Sequence, residues 1–61
     1  MSFDRLTDRE HECLEQLAKG LTNKGIAGAL GMAEYTARHH VKQIFSKLGV
    51  HTRTHAAARA A

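Results

Sequence analysis

The sequence predicts an all-α fold, a four-helix domain that contains a helix-turn-helix, and three observations predict it. Proline is absent from all 61 residues, so the ring that breaks helices is missing. Apolar residues recur at spacings of three and four through most of the chain, as on a helix with one buried face. Gly20, Gly31 and Gly49 each follow such a stretch, where a left-handed residue commonly closes a helix. The helices expected are 8–19, 23–30, 34–48 and 53–61.

Thr7-Asp8-Arg9-Glu10 fits the capping box, in which Thr caps the helix and Glu three residues on returns the bond. Leu14, Leu17, Ala18 and Leu21 then follow at helical spacing, with Cys13 beside them. Lys19-Gly20 supplies a cation in the last turn and a stop. Thr22 caps a short second helix that turns Ile26, Ala27 and Leu30 inward. Gly25 and Gly28 inside it each cost roughly 1 kcal/mol against Ala, so packing rather than propensity has to hold it.

Gly31 stands directly before the next apolar residue, Met32. A turn that tight makes two helices cross steeply, the helix-turn-helix arrangement. In the third helix, Ala37, Val41, Ile44 and Leu48 share one side, with His40 at its margin. Tyr35, Arg38, His39, Lys42 and Ser46 share the other, within an arc of roughly 100°. After Val50-His51, Thr52 caps the last helix, made chiefly of Ala.

Sixty-one residues make one small domain. At this size folding buries only roughly 60% of the surface of the unfolded chain, so an enclosed substrate pocket or a two-lobed enzyme is not expected. Neither Ser2 nor Ser46 has a base and an orienting acid at sensible positions, and no catalytic role is assigned. With Phe3, Tyr35 and Phe45 as the aromatics and no Trp, the core rests on Leu, Ile, Val and Ala. The single Cys13 excludes an internal disulfide. A chain this short usually needs a disulfide, a metal or a partner chain, and a partner chain is the expectation. Neither a signal peptide nor a bilayer-spanning apolar run is read, so the expected location is cytoplasmic, away from any membrane.

The net charge of +3 is unevenly placed. Residues 1–20 hold Asp4, Asp8, Glu10, Glu12 and Glu15 against Arg5, Arg9 and Lys19, whereas residues 21–61 hold Lys24, Arg38, Lys42, Lys47, Arg53 and Arg59 against Glu34 alone. A basic remainder behind an acidic start suits a polyanion partner. The major groove of DNA, about 12 Å wide, admits one α-helix with a polar, cationic outer face. Tyr35, Arg38, His39 and Lys42 supply that face. At the N-terminus of the second helix, with Thr22, Asn23 and Lys24, backbone N–H groups and the helix dipole favour a phosphate.

These residues resemble the LuxR-type (GerE-like) helix-turn-helix domain of bacterial transcription regulators and response regulators. The resemblance runs from Leu6 to about Ala57, through Leu6-Thr7-x-Arg9-Glu10, Leu14, Ala18-x-Gly20-Leu21-Thr22-Asn23-Lys24 and Ile26-Ala27. It continues through Leu30, Glu34-x-Thr36, His40, Ile44, Lys47-Leu48-Gly49-Val50 and Arg53. It implies double-stranded DNA as ligand, with the third helix in the major groove. Arg38, His39 and Lys42 would then face base edges, and Asn23, Lys24, Tyr35 and Thr36 would approach phosphates. The last helix would form a homodimer contact through Arg53, Ala56, Ala57 and Ala60, with RNA polymerase a further candidate partner on the bacterial nucleoid. The chain departs from the family pattern at Gly25, where Glu is usual, and at Ala33, where Ser or Thr caps the reading helix. Ala37 replaces the customary Val, and His39 falls where the target sequence is chosen.

Other readings compete. Arg38 and Lys42 could be ordinary solvated helix charges. The five histidines suggest a metal, since His51 and His55 have i, i+4 spacing and His39-His40 adds a pair. A closed zinc site needs four converging ligands, so neither a metal nor a cofactor is assigned. Cys13, on an apolar stripe, reads as a core residue. His39 would gain charge on mild acidification and could then add a phosphate contact. The principal rival is a helical protein-interaction module that binds no DNA.

Overall fold

The computed structural model describes residues 6–50, 56 and 58. Among them lie three helices: α1, Asp8–Ala18; α2, Asn23–Leu30; and α3, Glu34–Leu48. The bounds of α2 and α3 match the sequence expectation, and α1 ends one residue early because Lys19 forms its C-cap. The expected fourth helix, 53–61, falls outside the described residues except for Ala56 and Ala58, whose backbones are helical. The described fold is therefore a three-helix one rather than the four-helix domain expected.

Local chemistry accounts for each helix start. Thr7 Oγ1 accepts the Glu10 amide at 3.1 Å, and the Thr7 amide donates to Glu10 Oε1 at 2.9 Å. This completes the capping box and satisfies two backbone donors at once. Thr22 Oγ1 accepts the Gly25 amide at 3.1 Å, with no carboxylate to return the bond because Gly25 stands in its place. Ala33 has the extended backbone of an N-cap but no side-chain bond, so α3 begins without that support.

The helix ends share one solution. Gly31, at φ 67°, turns the chain left-handed, and the Met32 amide bonds back to the Ala27 carbonyl at 2.9 Å. Gly49, at φ 68°, does the same for α3, with Val50 bonding to Phe45. The left-handed conformation costs a glycine nothing sterically. At Gly31 it reverses the chain quickly enough for only Gly31, Met32 and Ala33 to separate α2 from α3.

The core runs between all three helices. Cys13, Leu14 and Leu17 of α1 meet Ile26 and Ala27 of α2 and Ala37, Val41, Ile44 and Leu48 of α3, with Leu6, Val50 and Ala56 closing the cluster. Leu21, Leu30, Met32 and Phe45 pack at its edge. Ala18, expected on the buried stripe, is exposed. At the other end of α1, Glu10 is buried at 4% exposure.

The two glycines within α2 are not equivalent. A Cβ at Gly28 would meet nothing within 4 Å, whereas at Gly25 it would press on the Leu21 side chain at 3.3 Å. Gly28→Ala is therefore expected to raise unfolding free energy by about 0.4–1 kcal/mol. Gly25→Ala should give less, or none. Urea unfolding of both variants against wild type checks this, and equal gains would refute the steric distinction.

Candidate nucleic-acid interface

α3 separates its two faces completely. Ala37, Val41, Ile44 and Leu48 are buried, and Tyr35, Arg38, His39 and Lys42 are exposed on the outer side. Tyr35 is 75% exposed, an unusual position for a large aromatic. Thr36, beside it in the first turn, is half-buried. Gln43 and Ser46 extend the exposed surface toward the C-terminal end of the helix. A shallow open groove follows, lined by Lys42, Phe45, Ser46, Gly49 and Val50.

Among the described residues no carboxylate pairs with Arg38 or Lys42. Both cations are thus available to an external anion. His39 lies beside His40, with ring centroids 6.1 Å apart and planes at 59°. His40 itself is half-buried on the margin of the core, as its helical position implies. At the start of α2, Lys24 is exposed and Asn23 is half-buried. The Gly25 amide in that turn is taken by Thr22.

The structure thus places Arg38, His39, Lys42 and Tyr35 on one helical face and Lys24 on the neighbouring helix. Of the residues expected at a dimer contact, Arg53, Ala57 and Ala60 lie outside the described residues. Ala56 is described, and it is fully buried in the chain's own core. Its methyl is not open to a partner, which corrects its assignment to the interface.

Two side chains that support this face escaped the sequence reading. Lys47 Nζ donates to Glu10 Oε1 at 2.7 Å, joining the last turn of α3 to the first turn of α1. Arg9 Nη2 donates to the Leu30 carbonyl at 2.8 Å while its Nη1 pairs with Glu12 at 2.7 Å. A signal for the first was present. Glu10 precedes Cys13, Leu14 and Leu17 by three, four and seven residues, so it lies on the buried stripe and requires a partner.

Burial acts to push the pKa of the Glu10 carboxyl up. The hydrogen bonds from Lys47 and the Thr7 amide, with the charges of Lys47 and His40, outweigh it and hold the group below its ordinary 4.5. Burial also raises the Cys13 thiol above 9.0, modulated by Arg9, Glu12 and Glu10. Cys13 is accordingly a neutral core thiol. Among the described residues, no three His, Cys, Asp or Glu side chains converge on a point. No described helix is long and apolar enough to cross a membrane.

The sequence pattern of the bacterial regulatory proteins of the luxR family matches residues 4–60. This chain belongs to that family. It is similar to the transcriptional regulatory protein LnrK of Bacillus subtilis, 52% identical over 52 residues, which cover 85% of this chain and 24% of the relative. A nitrate/nitrite response regulator protein homolog of Haemophilus influenzae is 47% identical over 51 residues, 84% of this chain and 24% of that protein. The DNA-binding transcriptional activator DevR/DosR of Mycobacterium tuberculosis is 46% identical over 52 residues, again 85% and 24%. The luxR-family chain thus spans about a quarter of the length of the curated relatives it matches. At that scale it is one module of the luxR family, with α2 and α3 joined by the tight turn at Gly31.

The depressed Glu10 carboxyl ties stability to pH in a definite sense. A carboxylate held below its unfolded value contributes stability that is full above about pH 4.5 and is lost as pH falls through the folded value. Glu10→Gln keeps an acceptor for the Thr7 amide but loses the charged bond to Lys47. It is expected to cost about 1.5–3 kcal/mol at pH 7. It should also flatten the stability–pH curve on the acid side, measured by denaturant unfolding at a series of pH values.

Proposed function

We propose that this chain binds double-stranded DNA sequence-specifically, with α3 in the major groove. One observation carries the reading: Tyr35, Arg38, His39 and Lys42 are exposed together on the face of α3 opposite its buried side. In this proposal Arg38, His39 and Lys42 reach base edges. Arg38 is the principal reader, because a guanidinium fits guanine O6 and N7 in bidentate fashion. Lys24, Asn23, Tyr35 and Thr36 approach phosphates and set the register of the helix, which carries no sequence information directly. Displacement of counterions by the lysines and arginines then makes affinity fall steeply with salt.

The chain acts as a single module over residues 1–61 and as a homodimer on a two-fold-related site. The proposed contact lies in the segment from Arg53 to Ala61, with Arg53, Ala57 and Ala60 as its residues. It works on the nucleoid, in the cytoplasm, without cofactor or catalysis, and RNA polymerase is the partner through which it would act on transcription. Family membership supports these readings, as does the basic balance of residues 21–61.

The two kinds of contact respond differently to substitution. Arg38→Ala should relax preference at one base pair, at a cost of roughly 1–3 kcal/mol on the preferred duplex. Lys24→Ala should weaken all duplexes alike and flatten the salt slope by about one unit. Selection of bound sequences from a random duplex pool, followed by titrations at several salt concentrations, provides both readouts. An equal loss on all sequences for Arg38→Ala would contradict its role. No salt-dependent binding at all would favour a protein-interaction module instead.

A further inference from the structure

α3 carries three cations, Arg38, Lys42 and Lys47, and charge alone makes each a candidate phosphate contact. Their surroundings divide them. Arg38 and Lys42 are exposed on the outer face. Lys47 turns back across the fold to Glu10, and this pair is secluded, its side chains 27% and 6% exposed. Pulling Lys47 away toward a phosphate would strand a buried carboxylate, a heavier loss than one exposed ionic contact returns.

The residue next to Glu10 reaches in the other direction. Arg9 donates to the carbonyl of Leu30, the last residue of α2 and the one before Gly31. α2 has no basic residue in its own last turn, so Arg9 supplies the cation that a carbonyl-rich helix end favours. Glu12, one turn on, holds the guanidinium in place. Two adjacent residues of opposite charge thus grip the unit at two points, Arg9 at the entrance to the turn and Glu10 at the far end of α3.

We infer that Arg9 and Glu10, with Lys47, are positioning residues that set the orientation of α3 for DNA reading, and that Lys47 makes no phosphate contact. This rests on the DNA-binding reading above. Bidentate base contacts tolerate little displacement of the helix that carries them. The effect of losing either grip therefore falls on discrimination between sequences, while the number of phosphates neutralised stays the same.

The test uses the 61-residue chain at a temperature where circular dichroism shows every variant folded. Duplex binding is measured against salt for wild type, Lys42→Met, Lys47→Met, Lys47→Arg, Arg9→Met and the double variant Glu10→Gln/Lys47→Met. The double variant leaves no stranded charge, so it remains informative where Lys47→Met unfolds. Lys42→Met should flatten the salt slope by about one unit, while the Lys47 and Arg9 variants keep the wild-type slope. Their ratio of affinity for the selected site over mixed duplex should fall about fivefold, the low end of one base contact's worth, and Lys47→Arg should restore it. A flattened slope in Lys47→Met, or an unchanged ratio in both Arg9→Met and the double variant, overturns the inference. Residual dipolar couplings report the orientation of α3 against α1 without DNA. A rotated α3 in Arg9→Met and the double variant supports the inference even where wild type binds no duplex, an outcome that defeats the DNA reading alone; an unrotated α3 overturns it.

Discussion

One carboxylate oxygen joins the parts of this fold. Glu10 Oε1 accepts the Thr7 amide, which starts α1, and the Lys47 ammonium, which ties down the end of α3. A buried carboxylate is tolerated only when its charge and lone pairs are satisfied, and here both partners are needed. The start of the brace helix and the seat of the exposed helix are therefore one structural event. Among the described residues the rest of the core is mostly small or aliphatic, with no aromatic fully buried. Dispersion and burial alone would leave α3 loosely specified in angle, since such side chains pack acceptably in more than one arrangement.

The balance of supports around α2 explains why the neighbours must supply so much. Two glycines lower its propensity, and it is only eight residues long, short of what an isolated helix needs to persist in water. Ile26 and Ala27 anchor it by burial, Thr22 caps its start, and Arg9 reaches its final carbonyl. α3 begins uncapped at Ala33 and is held instead by its buried stripe and by Lys47. The outer face can stay cationic because the burden of stability lies on the inner one. Among the described residues no carboxylate pairs with Arg38 or Lys42 on that face.

Much of this was legible in the sequence for definite reasons. The capping box at Thr7, the caps at Thr22, Gly31 and Gly49, and the buried stripe of α3 are local, set by residues within one or two turns of each other. Ala18 shows where periodicity misleads. It sits at the edge of the apolar arc, and an alanine offers too little area for sequence pattern to show whether anything covers it. The fate of Glu10 was half legible. Its place in the capping box could be read, and so could its place on the buried stripe, but its partner lies 37 positions away and nothing local points to Lys47.

The sequence by itself determined the three described helices, their boundaries to within one residue, the two faces of α3 and the family, because each rests on short-range periodicity, capping chemistry and ordered motif positions. The tertiary structure alone decided which charges are free. Lys42 and Lys47 look alike as letters on one helix, and only the approach of α1 makes one an outward cation and the other an internal tie. It also withdrew Ala56 from the surface and gave Arg9 a carbonyl to hold. Those assignments depend on which groups of distant segments come within hydrogen-bonding or packing distance, and that is a property of the packed chain.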